Sequence, residues 1–254
     1  MINHNSIHTK PFINIGNQQY DDRKPAFYET IEYGNLIETL EKNVAVYLTE
    51  YNNYIEHQKQ DPKFFLLYNE TGWNTVMLYS YGLRYHKNCI QFTNTLKTLK
   101  PYNNIVTIYF STLEPDTKLR PHFGDTDATY RIHLGLDIPA GLPECGIEVG
   151  NIQKEWQNGK TIIFNDAHFH TAWNLTDKKR TVLIVDIIKP EFTAKQWFII
   201  PKILGAMGVG RVLFPLKLMN ILPEFALKTL HFLATIAFMI LLPLQRMLKY
   251  FYKY

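Results

Sequence analysis

Four of the nine histidines, His122, His133, His168 and His170, fall in one strand-rich stretch of the chain, and they are its best candidates for chemistry. Two imidazoles brought together by a barrel can hold a divalent metal while leaving positions open for other ligands, as non-haem iron oxygenases require. His122 follows Pro121 at the edge of one run and His170 precedes another, so a metal site and ordinary packed histidines both remain open on spacing alone. His168 lies two residues from His170 and competes with it as a ligand, its other reading being pocket wall or surface. Asp125 and Asp127 are close enough to His122 to suggest carboxylate ligands, but short acids there read better as turn residues bonded to local backbone. His4, His8, His57, His86 and His231 stand in polar or isolated contexts that suit surface or packing roles. Cys89 and Cys145 are isolated and form no C-x-x-C, which argues against a thiolate metal site and is compatible with a reducing compartment.

These residues must be positioned by a β-rich body. From Leu36 the apolar positions Ile37, Leu40, Val44, Tyr47, Leu48, Tyr51 and Tyr54 recur every three or four residues, which predicts an amphipathic helix packing one stripe on a sheet. Short strand-like runs follow at Thr75 to Tyr81, Ile105 to Phe110, Ile132 to Ile138, Gly146 to Val149, Lys160 to Phe164 and Arg180 to Ile188. Turn chemistry separates them, as at Leu142-Pro143, Asn158-Gly159 and Asn174. Six or more short strands after a helical prelude predict a mainly β fold, a double-stranded β-helix of jelly-roll or cupin-like form with flanking helices. The nearly unbroken apolar run after Arg180 predicts a central strand.

A hydrophobic share of 46% with 20% charged residues argues against disorder and against a polytopic membrane protein. The total charge of +4 is too small to argue for a nucleic-acid partner. It is unevenly spread: residues 201–254 carry seven basic side chains and one acid, so they hold +6 of the +4 total and leave −2 on the rest. Basic charge in an apolar, aromatic tail suits an anionic membrane surface. The longest uncharged run there, Thr229 to Gln245, has 17 residues and sits at the lower edge of what a spanning helix needs. Lys249, Tyr250, Phe251, Tyr252, Lys253 and Tyr254 form an aromatic, basic end of interfacial type. Alternatively the tail folds back over the barrel or makes a dimer interface, because Pro201, Pro215, Pro223 and Pro243 would divide it into short pieces. The expected organisation is an N-terminal arm (1–30), a body with a helical prelude and a jelly-roll core (31–200) and a helical hydrophobic tail (201–254). The N-terminus lacks the apolar core of a signal peptide, which places the body in the cytosol or on the cytoplasmic face of a membrane.

Six linked blocks carry a resemblance: Phe110-Ser111-Thr-Leu-Glu-Pro115; Pro121-His122-Phe-Gly124; Tyr130-Arg131-Ile-His133-Leu-Gly-Leu136; Trp156-x-x-Gly159-Lys160; Phe164-Asn-Asp166-x-x-x-His170-x-x-Trp173-Asn174; and Arg180 with Val185-Asp186. In order and spacing, over about residues 100 to 192, they resemble the aspartyl/asparaginyl β-hydroxylases. The resemblance implies an Fe(II)- and 2-oxoglutarate-dependent dioxygenase, an oxidoreductase that hydroxylates an unactivated C–H with succinate and carbon dioxide as co-products. It implies a metal held by His122 and His170. Gly124 stands where most such oxygenases carry a carboxylate ligand, and the resembled family also has glycine there. Arg180 matches the arginine that pairs with the distal carboxylate of 2-oxoglutarate, and its planar fork suits that bidentate contact. Ser111 matches a serine donating to the same carboxylate, and Arg131 and His133 match residues lining the cosubstrate and substrate side. Trp156 and Trp173 read as packing residues. The substrate implied is a peptidyl Asp or Asn, or an acyl chain of a membrane lipid; the alternative is a cupin-like binding module that keeps the fold without the chemistry.

Overall fold

The computed structural model describes residues 23–29, 35–57, 71–213, 216–218 and 221–248. Most of the expected N-terminal arm and the aromatic, basic end from Lys249 onward lie outside the described residues.

Two antiparallel sheets face each other. The larger has seven strands: β1 (Phe27–Tyr28), β2 (Trp73–Ser80), β3 (Leu83–Arg84), β4 (Ile105–Leu113), β6 (Thr129–Asp137), β9 (Thr161–Phe164) and β11 (Arg180–Ile188), in the order β1-β9-β6-β11-β4-β2-β3. The smaller has β5 (Thr117–Lys118), β7 (Cys145–Val149), β8 (Ile152–Lys154) and β10 (His170–Asn174), in the order β5-β10-β7-β8. This is the expected jelly roll. The six expected runs all appear as strands, and β11 occupies the middle of the large sheet, where both of its faces are covered. That double burial is why its sequence lacks polar alternation. The strand that begins at His170 was absent from the expected set: HTAWN mixes polar and apolar residues although all five are buried.

Side chains alternate across each strand, and this parity sorts the core into two layers. Leu183, Val185 and Ile187 of β11 point outward with Ile132, Leu134 and Phe110 into a layer covered by helices. Val182 and Ile184 point inward with Tyr109, Ile147, Val149 and Ala172 into the space between the sheets. The outer cover is α1 (Leu36–Lys42), α2 (Val44–His57) and α4 (Thr93–Leu99), while α3 (His86–Cys89) is a single turn after β3. The single helix expected from Leu36 is divided at Asn43, whose N–H reaches back to Leu40 O. Beyond the break α2 buries Tyr47 and Tyr51; Tyr51 stacks on Phe110 and shares a 2.6 Å hydrogen bond with Thr112.

After a short α5 (Pro190–Thr193) come α6 (Gln196–Leu213) and α7 (Glu224–Leu248). Here the structure corrects one expectation: Pro201 and Pro243 lie inside α6 and α7, so the tail forms two helices of 18 and 25 residues. Burial supplies the reason. Ile199, Ile203 and Leu204 pack on Tyr81, Val106 and Ile188 at the end of the large sheet, and that packing holds α6 through the one backbone bond its proline removes. The expected boundary after residue 200 falls within α6.

Candidate active site

His122, His170, Arg180, Ser111, Arg131 and His133 all line one cavity between the sheets, which is partly open to solvent. Strand parity explains most of this convergence. Ser111 lies opposite Val182 and Tyr109 opposite Ile184 on β4, while His133 lies opposite Ile184 and Arg131 opposite Asp186 on β6. Every second residue of β11 from Arg180 to Asp186 therefore shares the inward face with these four.

The two outer histidines lie on the other side of the cavity: His170 begins β10 of the facing sheet, and His122 pairs with it from outside any strand. His122 and His170 form an isolated antiparallel bridge, exchanging backbone hydrogen bonds of 2.9 Å in both directions, and their ring centroids are 4.3 Å apart. Nδ1 of His122 lies 2.8 Å from Arg120 O and Nδ1 of His170 lies 2.8 Å from His168 O. A carbonyl oxygen only accepts, so each ring carries its proton on Nδ1 and keeps the Nε2 lone pair, as a metal ligand must. Burial holds His170 well below the ordinary histidine range, and the neighbouring His122 adds to this. Among the described residues no cluster of three or more His, Cys, Asp or Glu could hold a metal, so a metal here would have two protein ligands. His168 is turned away, its Nε2 at 2.9 Å from Lys24 O, and does not line the cavity.

Gly124 follows two residues after His122, and a Cβ there would overlap the Asp166 carboxyl and approach Asp166 O to 2.8 Å. The glycine is thus a packing requirement: its N–H donates to Asp166 O at 2.7 Å, and the carboxyl occupies the space its side chain would need. Asp166 lies 2.9 Å from Nη1 of Arg131, whose Nε and Nη2 donate to Asp186 in a bidentate pair at 2.7 and 2.8 Å. Burial raises Asp166 to about 7 against the pull of Arg131, with Asp186 adding to the rise. Burial likewise raises Asp125, against the pull of Arg131. Asp127 accepts from Lys189 through its backbone oxygen and pairs with Lys24 at 3.5 Å.

Arg180 is in the opposite situation. Its guanidinium is buried over the Trp156 ring at 4.4 Å, reaches only Ser111 O at 3.4 Å, and leaves Nε without a partner. Among the described residues no carboxylate forms an ion pair with it, and burial lowers its pKa to about 10. Ser111 Oγ accepts from Trp73 Nε1 at 3.0 Å, which leaves its own hydroxyl proton to donate. His133 Nδ1 accepts from Trp156 Nε1 at 3.3 Å, so its proton sits on Nε2, which is buried without a partner. Burial pushes His133 well below the usual range, with Arg131 and Arg180 adding to it. One wall therefore presents an unpaired cation and an unpaired neutral donor, an arrangement suited to an anionic ligand.

Trp73, Tyr109, Asp166 and Asp186 complete the site beyond the expected residues. Asp186 could have been placed from its even spacing to Arg180 on one strand; no sequence signal placed Trp73. Trp156, expected only to pack, both underlies Arg180 and sets the His133 tautomer.

A double-stranded β-helix with a two-histidine cavity defines the class as cupin-like. The family model "Aspartyl/Asparaginyl beta-hydroxylase" matches residues 37–190. The chain belongs to that family. It is 33% identical over 173 residues to the ornithine lipid ester-linked acyl 2-hydroxylase of Rhizobium tropici, covering 65% of this chain and 61% of that protein. It is 30% identical over 178 residues to the human aspartyl/asparaginyl beta-hydroxylase, covering 67% of this chain but only 23% of the relative. The chain thus spans less than two thirds of each of these relatives. Solved cupin domains are more distant: one from Schizosaccharomyces pombe has 4% identity and a TM-score of 0.34, covering 50% of this chain and 72% of its own. A cupin barrel protein from Salinispora arenicola has 10% identity and a TM-score of 0.31, covering 55% and 97%.

Proposed function

We propose that this protein is an Fe(II)- and 2-oxoglutarate-dependent dioxygenase that hydroxylates an acyl chain of a membrane lipid on the cytoplasmic face. The carrying observation is the buried Arg180, unpaired by any carboxylate among the described residues, in the same cavity as two histidines with Nε2 lone pairs. A buried guanidinium without a counter-charge is costly, and a dicarboxylate ligand would relieve that cost through a charge-assisted fork.

In this reading His122 and His170 hold ferrous iron through Nε2, with Arg120 O and His168 O fixing the rings. Iron bound there with 2-oxoglutarate would supply activation of dioxygen for C–H hydroxylation, leaving succinate and carbon dioxide. Arg180 and the Ser111 hydroxyl bind the distal carboxylate, and His133 Nε2–H donates to a second ligand oxygen. Arg131 lines the cosubstrate side; Asp186 accepts two of its five N–H donors, and Asp166 pairs with its charge, so that the two carboxylates hold it in place. Trp73, Tyr109, Leu119, Phe164 and Ile184 supply an apolar lining that keeps water from the reacting carbon.

A peptide substrate is the second reading, favoured by the name of the human relative. The lipid is preferred because the more similar relative is named for a lipid acyl chain and because α7 exposes a long apolar face. Succinate formation from 2-oxoglutarate, with ferrous iron, assayed against lipid extract and peptide pools, tests both. Lipid-dependent succinate is expected; peptide-dependent succinate would reverse the preference, and none with either would overturn the reading.

A further inference from the structure

We propose that α7 lies in the plane of an anionic membrane leaflet, its inner face fastened to the catalytic body and its outer face buried in lipid, so that it docks the enzyme without crossing the bilayer. This deepens the membrane-lipid reading above and rests on it.

By length and composition alone Glu224–Gln245 could cross a membrane, with a mean hydropathy of 2.0 and little of it buried. Its attachments argue otherwise. His231 Nε2 lies 2.9 Å from Lys202 O. One turn on, Thr235 sits so close to Gly205 of α6 that a Cβ there would come within 2.9 Å of Thr235 N. Phe238 meets Gly208, Leu242 meets Gly82, and Gln245 donates to Arg84 O at 3.2 Å. Residues 231, 235, 238, 242 and 245 share one helical face, so α7 is fastened along fifteen residues, or about 21 Å at 1.5 Å per rise. A spanning α7 would drag that length of the body, with Arg84 and Lys202, into a hydrocarbon layer only about 30 Å thick.

Among the described residues the opposite face has no such contacts. Phe225, Phe232, Leu233, Ile236, Ile240 and Met247 are 38–72% exposed, and from Phe225 to Gln245 the only charged residue is Lys228. So long an unbroken apolar face marks an interaction surface. Trp197, 70% exposed near the start of α6, adds an aromatic of the type that settles at the headgroup level. Charge selects the partner. The chain from 201 onward carries +6, which complements anionic headgroups.

The test adds full-length protein to preformed sealed vesicles of phosphatidylcholine, with or without phosphatidylglycerol. Sedimentation should show binding that is stronger with the anionic lipid and weakens with salt. Phe232→Asp and Ile240→Asp change only exposed positions and should each weaken binding about tenfold or more. For orientation, Glu224→Cys and Arg246→Cys are made in a Cys89→Ser, Cys145→Ser background and treated with a membrane-impermeant maleimide. Labelling of both ends from outside supports the in-plane helix, whereas one end reacting only after the vesicles are opened would show a span and overturn it. Absence of vesicle binding, or binding indifferent to both aspartate variants, would also overturn it, and an α7-dependent dimer without vesicle binding would assign the face to a second copy. Succinate formation is not read here, so this proposal and the oxygenase reading can fail separately.

Discussion

His122 and His170 exchange both backbone hydrogen bonds at 2.9 Å in a bridge that continues into no ladder, which holds their rings 4.3 Å apart from two separate segments. Backbone makes the bridge, so alanine at either position should leave the fold intact. Each substitution is expected to abolish ferrous iron binding and 2-oxoglutarate turnover, because the described residues offer no third ligand to compensate. Metal content after dialysis and a thermal melt check both halves; full turnover by either variant would refute the metal assignment.

Arg180→Lys should weaken 2-oxoglutarate by about 1.5 to 3 kcal/mol, the scale of a charged hydrogen bond, because a point charge cannot reproduce a planar fork. Iron content should not change. The Michaelis constant for 2-oxoglutarate is the measurement, and an unchanged value would remove Arg180 from the role.

Gly124→Asp would place a carboxylate where many related oxygenases carry their third ligand, yet activity should fall. The new Cβ would overlap the Asp166 carboxyl, and Asp166 O, as backbone, cannot swing aside. Gly124→Ala alone should cost about 1 to 3 kcal/mol of stability, in the range for overpacking. Denaturant melts of Gly124→Ala, Asp166→Ala and the double variant should reveal positive coupling; strict additivity would show that the two positions do not compete for space.

The pH dependence of stability should carry a signature of His133. Its folded-state pKa lies well below the ordinary 6.5, so below pH 6.5 the unfolded chain takes up a proton that the folded chain does not. That contribution is complete above pH 6.5 and is lost as the pH falls below it, by up to about 1.4 kcal/mol in the first pH unit. Asp166, raised to about 7, works the other way: its contribution is lost as the pH rises from 3.8 toward 7. A comparison of wild type with His133→Asn therefore isolates the histidine, and equal melting shifts on acidification in the two proteins would refute the assignment.

Local pattern determined a good deal. Alternation marked the main strands, the unbroken apolar run after Arg180 marked the central one, and the spaced blocks from Phe110 to Asp186 identified the family. Even spacing already put Arg131 and His133 on one face of a strand, since period two is a property of the backbone. What only the tertiary structure decided was pairing across sequence distance. Nothing local to Trp73 or Trp156 says that one will donate to Ser111 and the other underlie Arg180, because those contacts are set by sheet register and by how two sheets stack. Gly124 reads as an omitted ligand until Asp166 is seen to fill its space. The tail divides along the same line. Composition marked it as apolar and basic, but which face of α7 binds the body and which stays open depends on packing against Gly205, Gly208 and Gly82, a relation between distant segments that no window along the chain contains.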